Sequence, residues 1–410
     1  MESIDIFTMA LGLQAPWSVT KAEFTGADES ARELHITIGF KKGHKFQVAG
    51  AEAQTAYDMV ERTWHHLDFF QHKCYIHASV PRIRIDEHHI SMVEVPWARP
   101  QGGFTLLFEA YQMLLIEGEM PVSKVSETVR ETSPRIWQVF GYWVERALGK
   151  VDLSSVTRVG VDETSRKKGH QYVTRFVDMD AHRTIYVTQG KDSLTVENFA
   201  EYLESHGGRV ENIKMVSMDM SAAFESGFRK IFPNAEITFD KFHLCQSANK
   251  AVDSVRKDER KDSETLKNTR FTLLYGNENL SVGRSIELDN IIESHPKIGL
   301  AYELKEAFRD LYSISDAESA AGYLAFGCDR ADDSKLAPFQ NFSKTIKKHW
   351  NGVLSYFKPC NLNNGLLEGI NTKIQLAKRR ARGFSNIDNF ILMIYFISGK
   401  LKLDYPLNSL

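Results

Sequence analysis

Val156-Thr157-Arg158-Val159-Gly160-Val161-Asp162-Glu163-Thr164 is the stretch on which the reading of this chain turns. Its alternation is that of a β-strand: Val159 and Val161 share one face, and Gly160, Asp162 and Thr164 share the other. Aspartate fits poorly in a strand interior and is costly to bury, so an aspartate here calls for a specific partner. Two further β runs follow at Tyr172–Val177 and Thr184–Thr188, each reached through a tight polar turn.

Beyond them the period changes. The pattern predicts a helix over 195–205, a buried strand over 213–218 ending in Asp219, a helix over 222–232, a strand over 236–239 and a helix from Asp240. Three meandering strands followed by helix–strand alternation describe an α/β ribonuclease-H-like fold. In that fold the first and fourth strands are neighbours, which would bring Asp162 and Asp219 together. Taken alone, Asp219 reads equally well as a helix N-cap at a strand end.

A third acid stands near the C-terminus. Residues 363–383 form an amphipathic helix with Leu366, Leu367, Ile370, Ile374, Ala377 and Ala381 on one side. Asn364, Glu368, Thr372, Gln375, Arg379 and Arg382 line the other, and Gly383 reads as the C′ stop. Glu368 is the only acid in a segment with five Lys or Arg. A solvated glutamate neutralised by its neighbours explains it. So does a carboxylate that holds a divalent metal against a phosphodiester.

The rest of the chain sets the frame. Its 410 residues suit two or three domains, and 42% apolar with 25% charged residues is ordinary for a soluble globular protein. No apolar run is long enough to span a membrane and the start lacks signal-peptide character, so a cytoplasmic protein without membrane association is expected. A net charge of −2 requires any basic surface to be local. Residues 1–100 read as a β-rich module containing His65, His66, His72, Cys74, His77, His88 and His89, residue types that can bind metal but here without paired cysteines. Residues 101–150 read as a helix-turn-helix: helices over 104–117 and 122–130, then one beginning with Ser133 as N-cap and Pro134 as first helical residue. Arg135, Gln138 and Tyr142 are its candidate DNA-facing positions. Residues 151–256 and 361–410 form the two parts of the α/β unit, and 257–360 a mainly helical insertion. Within that insertion helices are expected over 300–312 and 339–351, with turns in the Ala-, Asp-, Ser- and Gly-rich stretch 313–336. Residues 390–401 read as a last apolar helix or strand.

These motifs resemble those of the ISL-type insertion-sequence transposases, a branch of the DDE transposases. The matching stretches are Val95-Pro96-Trp97-Ala98-Arg99, Phe104 to Ala110, Gly160 to Ser165, Gly169-His170-x-Tyr172-Val173-Thr174, Ser217 to Ser221, Phe239 to His243, and Leu367 to Asn371 with the following Lys-Arg-Arg-Ala-Arg-Gly. They keep family order over residues 57–401. The resemblance implies that Asp162, Asp219 and Glu368, separated by 57 and 149 residues, are the catalytic triad. Such a triad holds two Mg²⁺ or Mn²⁺ ions about 4 Å apart. It further implies that water frees a 3′-OH at an element end and that this hydroxyl then attacks target DNA. Asp240 and His243 match the (Cys or Asp)-x-x-His motif and would support the active site. Lys378, Arg379 and Arg382 would contact DNA. The partners implied are double-stranded DNA, as terminal inverted repeats and target, and a second copy of the chain. The family's N-terminal zinc module lacks its paired cysteines here, where Phe46 to Ala51 and Asp86 to His89 stand instead, which argues against zinc.

Two other readings use the same residues. A ribonuclease-H-like nuclease would cleave without strand transfer, and a DNA-binding regulator descended from a transposase would carry a damaged triad.

Overall fold

The computed structural model describes residues 3–26, 32–48, 52–167, 171–358 and 365–406. The motif residues Gly169 and His170, together with Ala49, Gly50, Ala51, Cys360, Asn363 and Asn364, lie outside them. The chain divides into two compact units, residues 1–147 with 402–410 and residues 148–401, so the expected last segment 361–410 is split after Leu401.

In the first unit helix α1 (Ser3–Ala10) precedes strands β1 (Trp17–Thr25), β2 (Glu33–Phe40), β3 (Asp58–Phe69), β4 (His72–Arg84) and β5 (Ile90–Met92). They form one sheet in the order β1-β2-β4-β3, with β5 on β4. The alternation in Glu33–Phe40 buries Leu34, Ile36 and Ile38 on one face. Trp17, Trp64, Trp97 and Phe46 pack edge-on or tilted in its core. Three helices follow: α2 (Leu106–Glu117), α3 (Val122–Thr128) and α4 (Ser133–Leu148). Thr105 caps α2 by accepting from the Phe108 amide. Ser133 does not act as a cap of this kind; its hydroxyl pairs with Ser126 at 3.0 Å and ties α4 to α3. The Thr132 carbonyl accepts from the Ile136 amide, so the helix starts one residue earlier than its sequence suggests.

The second unit opens with the expected meander, β6 (Arg158–Lys167), β7 (Gln171–Asp178) and β8 (Arg183–Gln189). Then come α5 (Ser193–Ser205), β9 (Met215–Met218), α6 (Ala222–Ile231), β10 (Glu236–Phe239) and α7 (Lys241–Glu259). The sheet order is β10-β9-β6-β7-β8, with β6 and β9 paired in parallel. One face is apolar: Val159, Val161, Phe176, Ile185 and Val216 join Phe199 of α5 and Phe228 of α6 in a single core. The Phe176 and Phe199 rings stack at 4.3 Å.

The insertion is helical throughout its described residues: α8 (Arg270–Leu274), α9 (Val282–Ser294), α10 (Pro296–Asp310), α11 (Ala317–Asp333), α12 (Ala337–Lys348) and α13 (Trp350–Leu354). The expectation of turns over 313–336 is corrected by α11. Asp316 caps that helix, and Ala320, Leu324, Gly327, Cys328 and Ala331 are buried at i, i+4, i+7, i+8 and i+11. Apart from Leu324 the buried stripe consists of small residues, and it was masked by the Ala, Ser and Asp around it. The helix expected over 339–351 breaks at His349, whose imidazole meets the Glu225 carboxylate at 2.8 Å. Ser355 then hydrogen-bonds Thr238 and the Ile237 carbonyl, returning the chain to β10.

The last two helices, α14 (Gly365–Arg380) and α15 (Ile387–Ser398), cover the second face of the sheet, α14 against β6 and α15 against β8. The run over 390–401 is thus helical, and the Tyr395 hydroxyl accepts from the Val187 amide on the edge strand β8. No helix among the described residues is long and apolar enough to cross a membrane.

Candidate active site and DNA-facing helices

The polar face of β6 carries the site. The last paired positions of the parallel β6–β9 ladder are Gly160 with Ser217. Asp162 and Asp219 each stand two residues further along, at matched heights on neighbouring strands. Parallel strands put residues of equal offset on one face, which is why the two carboxylates converge. Asp219 feels the charge of its neighbour: burial is the main cause that raises its carboxyl above the usual range, and the Asp162 charge pushes the same way. His243, the Ser221 amide and Lys191 pull against it. Asp219 accepts from the Ser221 amide at 3.0 Å, and Ser221 occupies the N-cap position of α6.

Glu368 sits in the first turn of α14, exposed, and lines the same cleft as Asp162. The cleft is about 860 Å³ in volume and is also bounded by Glu163, Asp240, His243, Asn371 and Arg379. Among the described residues no three His, Cys, Asp or Glu side chains form a group able to hold a metal as they stand. The donor set nevertheless has the chemistry of a hard-cation site: oxygen ligands whose mutual repulsion a cation would relieve. Glu163 shows that repulsion most clearly. Its carboxyl is pushed up to about 7, first by burial and then by the Asp219 charge, with Asp162 adding to it and Lys191 opposing.

Three hydrogen bonds from the protein hold Asp162. Its Oδ1 accepts from the Glu163 amide at 2.8 Å, and its Oδ2 accepts from Arg175 at 2.6 Å and from the Asn371 side-chain amide. Asn371 also accepts from the Thr164 hydroxyl at 3.2 Å. Neither Arg175 nor Asn371 was assigned a role from sequence. The signal for Asn371 was its place three residues after Glu368, one helical turn on; Arg175 sits in an otherwise ordinary strand and gave none.

Asp240 caps α7 by accepting from the Phe242 amide at 2.8 Å, and His243 lies one turn later beside Asp219. Of the three cations assigned to DNA, Arg379 lines the cleft, exposed. Lys378 instead donates to the Ser165 carbonyl at 2.6 Å. Arg382 lies beyond the helix end. It holds φ +55° while the Gly383 amide reaches back to the Lys378 carbonyl, so Arg382, not Gly383, occupies C′ and the stripe ends before it.

In the first unit α3 and α4 meet at Arg130, which takes φ +54° in the turn. Gln138 is exposed on α4. Arg135 pairs with both Glu131 oxygens at 2.7 Å and lies over the Phe104 ring at 4.1 Å. Glu131 in turn meets the buried His65 at 2.6 Å. Tyr142 is half covered, with the Arg99 guanidinium 4.4 Å from its ring centre. The other histidines are dispersed: His66 pairs with Thr105, His72 with the Arg32 carbonyl, and His77 with His35 and Thr63.

Residues 159–394, which carry all three acids, match the ISL3-type DDE family described as transposase. The chain belongs to the ISL3 transposase family. Residues 93–144, which cover α2, α3 and most of α4, match the helix-turn-helix domain of transposase family ISL3. Among its relatives are the transposase for insertion sequence element IS1001 of Bordetella parapertussis, 28% identical over 59% of this chain and 61% of that protein. The transposase for IS1557 of Mycobacterium tuberculosis is 27% identical over 79% of this chain and 78% of its own length. The ISL3 chain thus spans about three fifths of the first relative.

Proposed function

We propose that this protein is a DDE transposase that binds insertion-sequence ends, hydrolyses DNA there and joins the freed 3′-OH to target DNA. The observation that carries this reading is the convergence of Asp162 and Asp219 at one strand end, with Glu368 lining one cleft with Asp162, within a sheet of order β10-β9-β6-β7-β8. That order makes the first and fourth strands of the unit neighbours, which supports a ribonuclease-H-like reading. Asp162, Asp219 and Glu368 would hold divalent ions, Mg²⁺ or Mn²⁺, which when bound polarise the scissile phosphate and the attacking oxygen. Asp240 and His243 back the second acid: Asp240 fixes the start of α7, and His243 opposes the burial of Asp219. Arg379 places a cation at the cleft edge where a phosphate backbone would pass.

End recognition falls to α4, with Gln138 as its open base-reading side chain and Arg135 and Tyr142 beside it. Pairing two ends calls for at least two copies of the chain, and we expect a dimer on DNA. Cytoplasmic placement follows from DNA as substrate.

The test is incubation of the full chain with a duplex carrying a candidate element end, a target plasmid and Mg²⁺. Nicks with 3′-OH ends and joined products are expected, both absent in Asp162→Asn. Nicking without joined products would leave the nuclease reading. Specific binding without nicking would leave the regulator reading.

A further inference from the structure

We propose that Arg175 is a positioning residue that sets Glu368 against Asp162. The inference rests on the reading of those two acids as members of one active site. Arg175 projects from β7, is 1% exposed and ranks among the largest fully buried side chains of the protein. A single nitrogen, Nη2, donates to Asp162 Oδ2 at 2.6 Å and to the Leu367 carbonyl at 2.8 Å. That carbonyl belongs to the peptide bond that begins Glu368. One guanidinium nitrogen therefore spans the gap between the first acid and the backbone that carries the third, acids that are 206 residues apart in sequence.

A buried guanidinium is expensive when its donors are idle, and Nε and Nη1 of Arg175 have no partner among the described residues. Neutralising Asp162 would require only the first of the two bonds. The second fastens the first turn of α14 through the Leu367 carbonyl. Later turns are fastened separately: Asn371 reaches Asp162 and Thr164, Gln375 reaches Thr164 at 3.5 Å, and Lys378 reaches the Ser165 carbonyl. Arg175 supplies the pin nearest to Glu368, and it holds the carboxylate and the helix with the same atom. A shift of either is felt by the other.

The experiment compares Arg175→Met and Arg175→Lys in the full chain. Its readouts are amide hydrogen exchange of α14 without metal, DNA binding, and Mg²⁺-dependent nicking of the end duplex. For Arg175→Met, exchange at residues 369–372 should accelerate tenfold or more while α7 and α15 stay within twofold. Nicking should fall a hundredfold or more, with DNA binding within threefold. Arg175→Lys keeps the charge on a shorter, unforked stem. It should still show faster α14 exchange and recover less than a tenth of the lost nicking. The proposal is overturned if lysine restores both readouts, since charge alone would then suffice, or if methionine leaves both unchanged. Should Arg175→Met fail to fold, the lysine variant decides by the same criteria. Failure of the active-site reading would look different: Asp162→Asn would nick at the wild-type rate, while Arg175→Met still loosened α14.

Discussion

Leu367 rests on Gly160. A Cβ built on Gly160 would lie 3.0 Å from Leu367 Cδ2 and 2.5 Å from Met179 Sδ, so the absence of a side chain there is what lets α14 lie on β6. The glycine of the motif is thus a packing requirement two residues before Asp162. Gly160→Ala should cost about 1–3 kcal/mol through overpacking and displace the Glu368 helix. Urea denaturation measures the first effect and nicking the second. An unchanged midpoint together with full nicking would mean that Leu367 and Met179 yield freely.

Removing any one acid should separate binding from chemistry. Asp162→Asn, Asp219→Asn and Glu368→Gln should each lower nicking on the order of a thousandfold or more, with end binding in a gel-shift assay largely retained. If Glu368→Gln nicks normally, the third acid has been misassigned and Glu163, which lines the same cleft, is the next residue to test.

The protonation of Glu163 should be visible in stability. Its carboxyl ionises near 4.5 in an unfolded chain and is pushed up to about 7 in the folded one, so folding takes up a proton between those values. A raised carboxyl stabilises below its unfolded value, and that contribution is lost as pH rises through the folded one. Metal-free protein should therefore lose about 1–2 kcal/mol between pH 5 and 7, a figure reduced for solvent screening of a partly exposed group. Glu163→Gln should flatten that segment of a pH series of melting curves. Added Mg²⁺ should flatten it in the wild type, because a cation favours the ionised form. A slope identical in Glu163→Gln would assign the proton to another group.

Arg379 and Lys378 are neighbours with opposite uses. Arg379 borders the cleft, whereas Lys378 is held on the Ser165 carbonyl. Arg379→Ala should reduce the slope of log K against log salt by about 0.9. Lys378→Ala should change it much less, despite the same loss of charge. Arg382→Ala tests whether the residue past the helix end still meets DNA. Equal slope changes for Arg379 and Lys378 would show that bulk charge alone matters.

On the helix-turn-helix, Gln138→Ala should relax base preference by about 1–3 kcal/mol if its amide reads a base edge. Arg135→Ala should act mainly on stability, since it leaves the nearly buried Glu131 with His65 alone. Binding selections on randomised end sequences, set beside melting temperatures, separate the two. A pure specificity change from Arg135 with no loss of stability would reverse these roles.

Local sequence determined much of this molecule. The β alternation at Val159 to Thr164 and the spacing of Leu367, Ile370 and Ile374 each follow from a short-range period, because side-chain direction repeats every two residues in a strand and every 3.6 in a helix. Met215 to Met218 was legible instead as a short run buried on both faces. The candidate acids were legible for a related reason: a carboxylate inside an apolar strand, or alone on a basic helix, conflicts with its surroundings. Helix α11 was hidden because its buried stripe, apart from Leu324, is made of small residues and hydrophobicity carries little signal there. The uses of Arg175, Asn371, Lys378 and Glu163 were decided only by tertiary structure. A guanidinium on β7, an amide on α14 and a strand aspartate acquire their roles by meeting across some two hundred residues of chain, and no local period encodes which donor will face which acceptor. The end of the basic stripe was settled in the same way: the chain turns left-handed at Arg382, and the helical projection that placed this residue beside Arg379 no longer applies there.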